Sequence, residues 1–434
     1  MSRKYLFLIL IISAFVNFIG TFGPELGFDA IWYHLTIPKL YLNWGEIKYI
    51  PGGLLYYSAM PKLGELIFML GNANYLVAHF VSFIFGIMAA VVTYKIARKF
   101  LDPGFSLLAV IIFYVTPLVG WLSGSAYVDL IRTFFESLAF LLIINNRFVL
   151  GGTSLALAIG TKTLAIGSLP IFLALIFIKT KSLKNILTFL LFAVLFSAPW
   201  FIWSYLKTGY PFFPIGAGIL DPRHNIVIPN PLDLIRLFAT SNDPFNPIYL
   251  MVLPFIFNKV RQYPKELFLY SLLALLIWLL TPRTDWGRFI LPYLPVMAVF
   301  VTVVISKQTK LFKNLLIGLV VFIAIVNIGY RVMASKRLVG YIAGRETKTE
   351  YLCKNLDFKT AVFVDCDGWF AKNIKPTDFV LVENVHNLYY INFPFVHESW
   401  YAGEKYNYIL TYNKVLNKKL IHTNDITGMR LYAN

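Results

Sequence analysis

Charged and polar side chains are concentrated in residues 23–74, between the first two long apolar runs of the chain. The segments FDAIWYHLTIPKLYLNWGEI and YYSAMPKLGELIF carry Asp29, Tyr33, His34, Lys62 and Glu65 among further aromatic residues. Carboxylate and ammonium groups beside a membrane are expensive to keep there and are often functional. The segment is therefore a candidate site. The alternative is a surface cap on a membrane bundle.

Further charged groups stand where apolar runs begin. Asp129 opens the fourth run, and Arg283 and Arg288 flank the turn before the tenth. The arginines could also snorkel to water from a helix end. Asp29 and Asp129 could serve as helix caps, because each precedes or opens a predicted helix.

Two pairs of charges have helical spacing. Lys62 and Glu65 are three residues apart and are predicted to share one helix face, and Arg132 and Glu136 are four apart within the fourth run. For Arg132 and Glu136 we favour a structural ion pair over a catalytic role.

One type of reaction would use all these groups. A carboxylate at the membrane face can take a proton from an acceptor hydroxyl, and Lys or Arg can hold a phosphate on which charge develops as it leaves. A lipid-linked phosphosugar would bring such a phosphate to this depth. The sequence has no GxGxxG, P-loop or HExxH motif. Composition alone does not decide between such an enzyme and a transporter.

Composition identifies a polytopic membrane protein. The 434 residues are 58% hydrophobic and only 14% charged, which is too little polar surface for a soluble domain. The net charge of +17 invites a nucleic-acid partner. Its excess, however, lies in short clusters between apolar runs, which is the positive-inside pattern of membrane proteins.

Eleven membrane-spanning helices are predicted, within a transmembrane domain of residues 1–337. The first outer loop, 23–74, should hold two amphipathic juxtamembrane helices, near 28–43 and 54–70, and a second long outer loop covers 206–246. The basic clusters predict a multi-pass protein of the cytoplasmic (inner) membrane with its N-terminus in the cytoplasm. The spans are predicted at 5–22, 75–96, 105–121, 128–144, two within 148–178, 185–205, 247–257, 267–280, 288–305 and 315–330.

Residues 338–434 change character and predict a small extracytoplasmic α/β domain. Runs 361–364, 379–382 and 408–412 are strand-like, and 347–355 is helix-like. Cys353 and Cys366 both lie here. They could form a disulfide outside the cytoplasm or remain free thiols.

Several segments in order make the chain similar to a known family. The two segments of the first loop are followed by AYVDLIRTFFESLA, LALAIGTKTLAI, LKTGYPFFP and GRFILPYLP. Together they resemble the GT-C membrane glycosyltransferases, in particular the bacterial branch related to protein O-mannosyltransferases and aminoarabinose transferases (glycosyltransferase family 39-like). The resemblance covers about residues 1–330. It implies a polyprenyl-phosphate sugar as donor and a hydroxyl acceptor on a protein, lipid or glycan.

The resemblance also implies roles for individual residues. Asp29 would be the general base of an inverting transfer, and Asp129 a second catalytic acid group that supports the acceptor site or the base. Lys62 and Arg288 would bind the donor phosphate, and we add Arg283, which lies close to Arg288. His34 and Glu65 match positions typical of this branch, to which the resemblance assigns no role. We take them, with Tyr33, as candidate substrate-binding residues. The family commonly has Asp followed by Glu at the first position, whereas Ala30 follows Asp29 here. No metal-ligand cluster is evident, so we predict metal-independent transfer without a cofactor, although some relatives use a divalent cation.

Two alternatives belong to other functional classes. The chain could be a transporter or flippase of a lipid-linked or polar substrate, or a non-catalytic scaffold of an envelope-glycan assembly. Transporters often have internal repeats and binding groups at the membrane midplane. The two halves show no repeat, and most charges lie near the outer face, which favours an enzyme at the interface.

Overall fold

The computed structural model describes residues 2–215, 217, 230, 232–239, 246–256, 261–281 and 287–434. A helical membrane part is followed by a small sheet. The α-helices are α1 (Arg3–Gly20), α2 (Thr36–Trp44), α3 (Leu63–Met69), α4 (Tyr75–Ala97), α5 (Pro103–Tyr114), α6 (Pro117–Leu122), α7 (Asp129–Ile144), α8 (Phe148–Thr161), α9 (Leu169–Thr180), α10 (Leu183–Thr208), α11 (Leu232–Ala239), α12 (Ile248–Met251), α13 (Leu253–Ile256), α14 (Lys265–Leu280), α15 (Leu294–Ser306), α16 (Lys310–Ser335), α17 (Val339–Ile342), α18 (Lys348–Asn355) and α19 (Trp369–Asn373).

The helices make this a multi-pass membrane protein, but the predicted count of eleven spans is not confirmed. Within the described residues, five helical stretches are long and apolar enough to cross a membrane: α1, α4, Thr163–Thr180, α10 and Lys310–Ile342. Three more are apolar but shorter: α5, α8 and Leu291–Ser306. In the predicted span at 247–257, the described residues 247–256 hold the one-turn helices α12 and α13, far short of the roughly 20 residues that a membrane crossing needs.

The first long loop, residues 23–74, is helical in part, with bounds that differ from the prediction. The predicted helix near 28–43 is a π-helical turn, Ala30–His34, that leads into α2. The predicted helix near 54–70 is a 3₁₀ turn, Tyr56–Ala59, followed by α3. Pro61 accounts for the break, because it has no N–H and disfavours helical backbone in the residue before it.

Close helix packing holds the loop to the membrane part. α7 packs between α4 and α8, and α8 packs against α10. Gly64 in α3 lies directly against Val128, where an added Cβ would clash. The small side chain therefore lets α3 approach the start of α7, so that the loop and the fourth predicted span meet.

The C-terminal residues form the predicted mixture of helix and sheet. The strands are β1 (Val380–Glu383), β2 (Phe395–His397), β3 (Tyr408–Tyr412), β4 (Leu420–Asn424) and β5 (Met429–Ala433), in the order β2-β1-β3-β5-β4. β1 is parallel to β2 and β3, and the last three strands are antiparallel. The strand predicted at 361–364 is wrong, because this run makes only a single bridge, from Val362 to Asn387.

Two features stabilise the start of this C-terminal part. A reciprocal capping box between Thr347 and Glu350 begins α18. Cys353 and Cys366 form a disulfide, which decides between the two alternatives that the sequence leaves open. The domain boundary near 338 stays a prediction.

Residues 385–392 connect the C-terminal part to the first loop. Lys39 Nζ donates to the main-chain oxygen of Tyr389 at 2.7 Å, and Tyr390 Oη donates to the main-chain oxygen of Glu25 at 2.6 Å. Burial lowers the pKa of Lys39 to about 8. These bonds fix the C-terminal part directly over the loop that holds the candidate site.

Candidate active site

Two carboxylate–cation pairs form the centre of the site. Asp29 Oδ2 accepts from Arg288 Nη1 at 2.8 Å, and Asp129 Oδ1 accepts from Lys162 Nζ at 2.8 Å. Arg288 also interacts electrostatically with Asp129. Four residues from four separate segments therefore form one charged cluster.

Neither carboxylate serves as the helix cap that the sequence allowed. Asp29 precedes the π-helical turn and Asp129 is the first residue of α7, yet neither side chain makes a capping hydrogen bond. Asp129 Oδ2 is buried and has no hydrogen-bond partner among the described residues. Since buried polar atoms are nearly always paired, this free oxygen makes Asp129 a candidate for contact with a substrate.

Lys162 was not predicted as a site residue. It lies in the segment LALAIGTKTLAI, which contributed to the family resemblance but received no role. Its backbone is extended, with φ −154° and ψ 119°, between the end of α8 and the 3₁₀ turn Thr163–Ser168. This break in the helix directs the ammonium group to Asp129. The sequence feature that could have identified Lys162 as a site residue is a lysine that interrupts an apolar hairpin.

Glu25 and His79 form a buried pair that sequence reasoning also missed. Glu25 Oε2 lies 2.8 Å from His79 Nε2, and its carboxylate accepts from the main-chain N–H groups of Gly27 and Ala126. Burial raises the pKa of Glu25, but His79 and the two N–H groups outweigh it and hold this pKa below its ordinary value. The pair joins the start of the first loop to the turn before α7, and so positions both Asp29 and Asp129.

His34 and Glu65 form a second buried pair, at 2.6 Å from Nδ1 to Oε1. It joins the π-helical turn to α3. His34 Nε2 and Glu65 Oε2 have no hydrogen-bond partner in the described part of the chain. Next to them, Tyr33 stacks on Tyr57 with ring centroids 3.6 Å apart. Burial and the nearby Asp29 raise the pKa of Tyr33, so its phenol stays protonated.

Lys62 is a buried ammonium group without a carboxylate at ion-pair distance among the described residues. Its exposed fraction is 3%, and Nζ lies 4.9 Å from the ring of Trp203 and 5.7 Å from that of Trp200. Burial lowers the pKa of Lys62 to about 8, while Glu65 opposes the shift. Lys62 precedes α3, so the predicted shared helix face with Glu65 is wrong. An ammonium group between indole rings is suited to an incoming anion.

Three charged residues singled out in the sequence remain: Arg283, Arg132 and Glu136. Arg283 lies outside the described residues. Arg132 and Glu136 form a buried ion pair, as predicted, and Glu136 also accepts from Ser168. The pair therefore has partners within the bundle and is separate from the Asp29 cluster.

The C-terminal part adds one ring to the edge of the site. His386 stacks on Phe28 at 5.0 Å and lies 4.6 Å from Trp32. Burial lowers the pKa of His386, and Asp29 is close enough to oppose this. Nothing in the sequence marked His386, because it is 357 residues from Asp29 along the chain.

Metal-independent transfer stays a prediction. Asp29 and Asp129 are each already paired with a cation, and the described ranges contain no group of three or more His, Cys, Asp or Glu that could hold a metal ion. No step proposed below uses a metal.

Known structures of membrane proteins share this architecture. ArnT from Cupriavidus metallidurans in its apo state matches with a TM-score of 0.71 and 11% identity, over 99% of this chain and 98% of ArnT. ArnT bound to undecaprenyl phosphate matches with a TM-score of 0.69 and 10% identity, over 100% of this chain and 98% of ArnT. The archaeal oligosaccharyltransferase AglB from Archaeoglobus fulgidus, in complex with an inhibitory peptide and a dolichol-phosphate, matches with TM-score 0.50 and 14% identity over 94% of this chain and 69% of AglB. No protein-family model matches the sequence, and no curated protein matches it. The similarity confirms the predicted fold.

Proposed function

Because the chain shares the GT-C fold with ArnT and AglB, we propose that it is a glycosyltransferase. It would move a sugar from a polyprenyl-phosphate donor to a hydroxyl on a protein, lipid or glycan at the outer face of the cytoplasmic membrane. The structures of ArnT with undecaprenyl phosphate and AglB with dolichol-phosphate support a donor of this class.

The observation that carries the proposal is the collection of cations around two carboxylates at one end of the bundle. Arg288 and Lys162 are paired with Asp29 and Asp129, and Lys62 stands alone among the described residues between two indoles. A transferase needs such positive charge where a phosphate leaves and a carboxylate where a hydroxyl loses its proton.

Asp29 is the proposed general base. Arg288 occupies its Oδ2, and the side chain keeps 18% of its surface exposed, so Oδ1 can accept from the acceptor hydroxyl. The acceptor oxygen forms its bond to the anomeric carbon while the bond from that carbon to the phosphate oxygen breaks. The proton moves to Asp29, and the anomeric configuration inverts. Polyprenyl phosphate leaves with the electron pair, stabilised by Lys62 and Arg288.

The substrate-binding residues of the proposal are Tyr33, His34 and Glu65. His34 Nε2 and Glu65 Oε2 are buried polar atoms without a partner in the described residues. They are therefore suited to hydrogen bonds with sugar hydroxyls. The protonated phenol of Tyr33 adds a donor next to Asp29.

The test is release of polyprenyl phosphate from a radiolabelled polyprenyl-phosphate sugar pool by the purified full-length protein. Asp29→Asn should reduce release roughly 10²–10⁴-fold, the usual contribution of general-base catalysis. Asp102→Asn is the matched control, because Asp102 only caps α5 and Asn is an equally good cap.

Unchanged release by Asp29→Asn would refute the assignment of the base. No release by the native chain from any lipid-linked sugar would contradict the transferase itself. It would then favour the transporter or scaffold alternatives.

A further inference from the structure

Arg331, near the outer end of α16, is a charged group without a counter-charge. Its guanidinium makes no hydrogen bond or ion pair with any described residue, and its Nε is buried without a partner. The strongest charge interaction on it is repulsion by the like charge of Arg337. Arg331 is half-buried overall, and partial burial of a guanidinium without compensation is costly, so such a group is retained where it has a use.

Arg331 faces a cavity of about 50 Å³. It is lined by the end of α1, by residues 23–27, by the end of α16, and by Trp121, Gly124, Ser125, Arg337, Leu338 and Tyr351. Glycines leave this space open: a Cβ on Gly124 would lie 3.1 Å from Arg331 Nη2, and one on Gly20 would clash with the same nitrogen. About 10–15 Å³ suffices for one water, so the cavity can hold a group of several heavy atoms.

The polar atoms of the cavity form an anion-binding set. Arg331 and Arg337 supply positive charge, and Ser335 Oγ is buried without a hydrogen-bond partner among the described residues. Glu25 also lines the cavity, but His79 and two main-chain N–H groups occupy its oxygens. Guanidinium and hydroxyl donors match a phosphate group.

The location indicates where a phosphate would come from. α1 and α16 border the cavity, and both expose large apolar side chains along their length, including Phe7, Phe15, Phe322 and Tyr330. Exposed apolar faces of this size on long apolar helices face lipid. The cavity therefore opens at the membrane surface between two lipid-facing helices.

We propose that this cavity binds a phosphate group supplied by the headgroup of an anionic membrane lipid, at a site separate from the Asp29 cluster. Tyr127 stands between the two sites: its ring lies 5.1 Å from Trp121 in the cavity wall and 4.9 Å from the guanidinium of Arg288. A lipid bound here would hold α1, α16 and the start of the first loop together. The site does not depend on the proposed transferase activity.

The experiment measures lipid binding by the full-length protein. The protein is stripped of lipid in neutral detergent and titrated with phosphatidic acid or phosphatidylcholine. Native mass spectrometry counts the bound lipid, and thermal unfolding gives the stabilisation. The native chain should bind one phosphatidic acid in preference to phosphatidylcholine. Arg331→Gln should weaken that binding at least about tenfold, and Arg331→Lys should restore part of it.

Lys336→Gln is the control, because Lys336 is exposed, carries the same charge near the same helix end and does not line the cavity. It should change binding by less than about twofold. The melting temperature of lipid-free Arg331→Gln should match or exceed that of the native chain, because the charge that is removed had no partner. This measurement distinguishes loss of lipid binding from failure to fold.

Equal phosphatidic acid binding by the native chain and Arg331→Gln would overturn the proposal. Inorganic phosphate is titrated in a separate arm without lipid. If it stabilises the native chain but not Arg331→Gln, and phosphatidic acid does not, the phosphate site stands and the lipid source is wrong.

Discussion

Lys62 offers the sharpest test of the site, because its charge should serve activity at the expense of stability. It is buried between Trp200 and Trp203 without a carboxylate partner in the described residues, and burial lowers its pKa to about 8. At pH 7 the ammonium form is about nine-tenths populated, and at pH 9 it is about one-tenth populated. Donor capture should therefore weaken as the pH rises through 8.

The magnitude follows from the loss of one charge-assisted contact to phosphate. Such contacts contribute about 1.5–3 kcal/mol, so Lys62→Gln should lower kcat/KM by roughly ten- to a hundredfold at pH 7. The native kcat/KM should fall about tenfold per pH unit above pH 8. Lys62→Arg keeps its charge in this range, so its profile should be flat to pH 9.

Stability should move in the opposite direction. The folded-state pKa of Lys62 lies below the ordinary 10.5 of the unfolded chain. Between pH 8 and 10.5 the unfolded chain therefore binds more protons, and the free energy of unfolding rises with pH in this window. At pH 7 the buried charge is a cost of the order of 1–3 kcal/mol, which Lys62→Met should remove.

The assay combines kcat/KM for the lipid-linked donor over pH 6.5–9.5 with thermal unfolding in detergent. Lys48→Gln is the control in the same loop, because Lys48 is exposed and pairs with Glu46 at the surface. A Lys62→Gln enzyme within threefold of the native rate would refute the phosphate role. If Lys62→Met lowers the melting temperature, the inference that the charge of Lys62 destabilises the folded protein is wrong.

Three further predictions concern the surroundings of Asp29. Asp129→Asn and Lys162→Met should each lower kcat/KM about 10- to 100-fold, and the double variant should lose little more than either single one, because the two side chains act as a pair. Additive losses in the same donor assay would show independent roles. Glu25→Gln should lower the free energy of unfolding by about 3 kcal/mol, because it breaks a buried charged pair, and chemical denaturation in detergent would measure this. His386→Ala should raise KM for the acceptor severalfold and leave KM for the donor unchanged, whereas His422→Ala, which removes an exposed contact to Asp367, should change neither.

The fold was largely predictable because lipid imposes strong patterns on sequence. Long apolar helices such as α4 and α10 and the basic clusters between them are visible without any tertiary information. Shorter elements were less predictable, since their form depends on local chemistry and packing. One proline divides the predicted helix at 54–70, and the run 361–364 lacks the neighbouring strands that would make it part of the sheet.

The candidate site was predictable where a charge interrupts an apolar pattern. Asp29, Asp129 and Arg288 do so, and the structure brings these three together. Lys162 interrupts a pattern too, but only its contact with Asp129 gives it a role. Glu25, His79 and His386 could not be found in this way, because their importance comes from partners that lie far away in the sequence.

The two carboxylates of the site have different environments, and this separates their roles. Asp129 has 1% of its side chain exposed, and Lys162 holds it at the start of α7. A hydroxyl on a large acceptor could reach it only if the surrounding helices moved. Asp29 lies on a loop, keeps 18% of its side chain exposed and has one oxygen that Arg288 does not occupy. Because Arg288 also senses the charge of Asp129, loss of Asp129 should disturb Arg288 and act on the base indirectly. We therefore expect Asp129→Asn to lower the rate without abolishing it, whereas Asp29→Asn removes the proton acceptor itself.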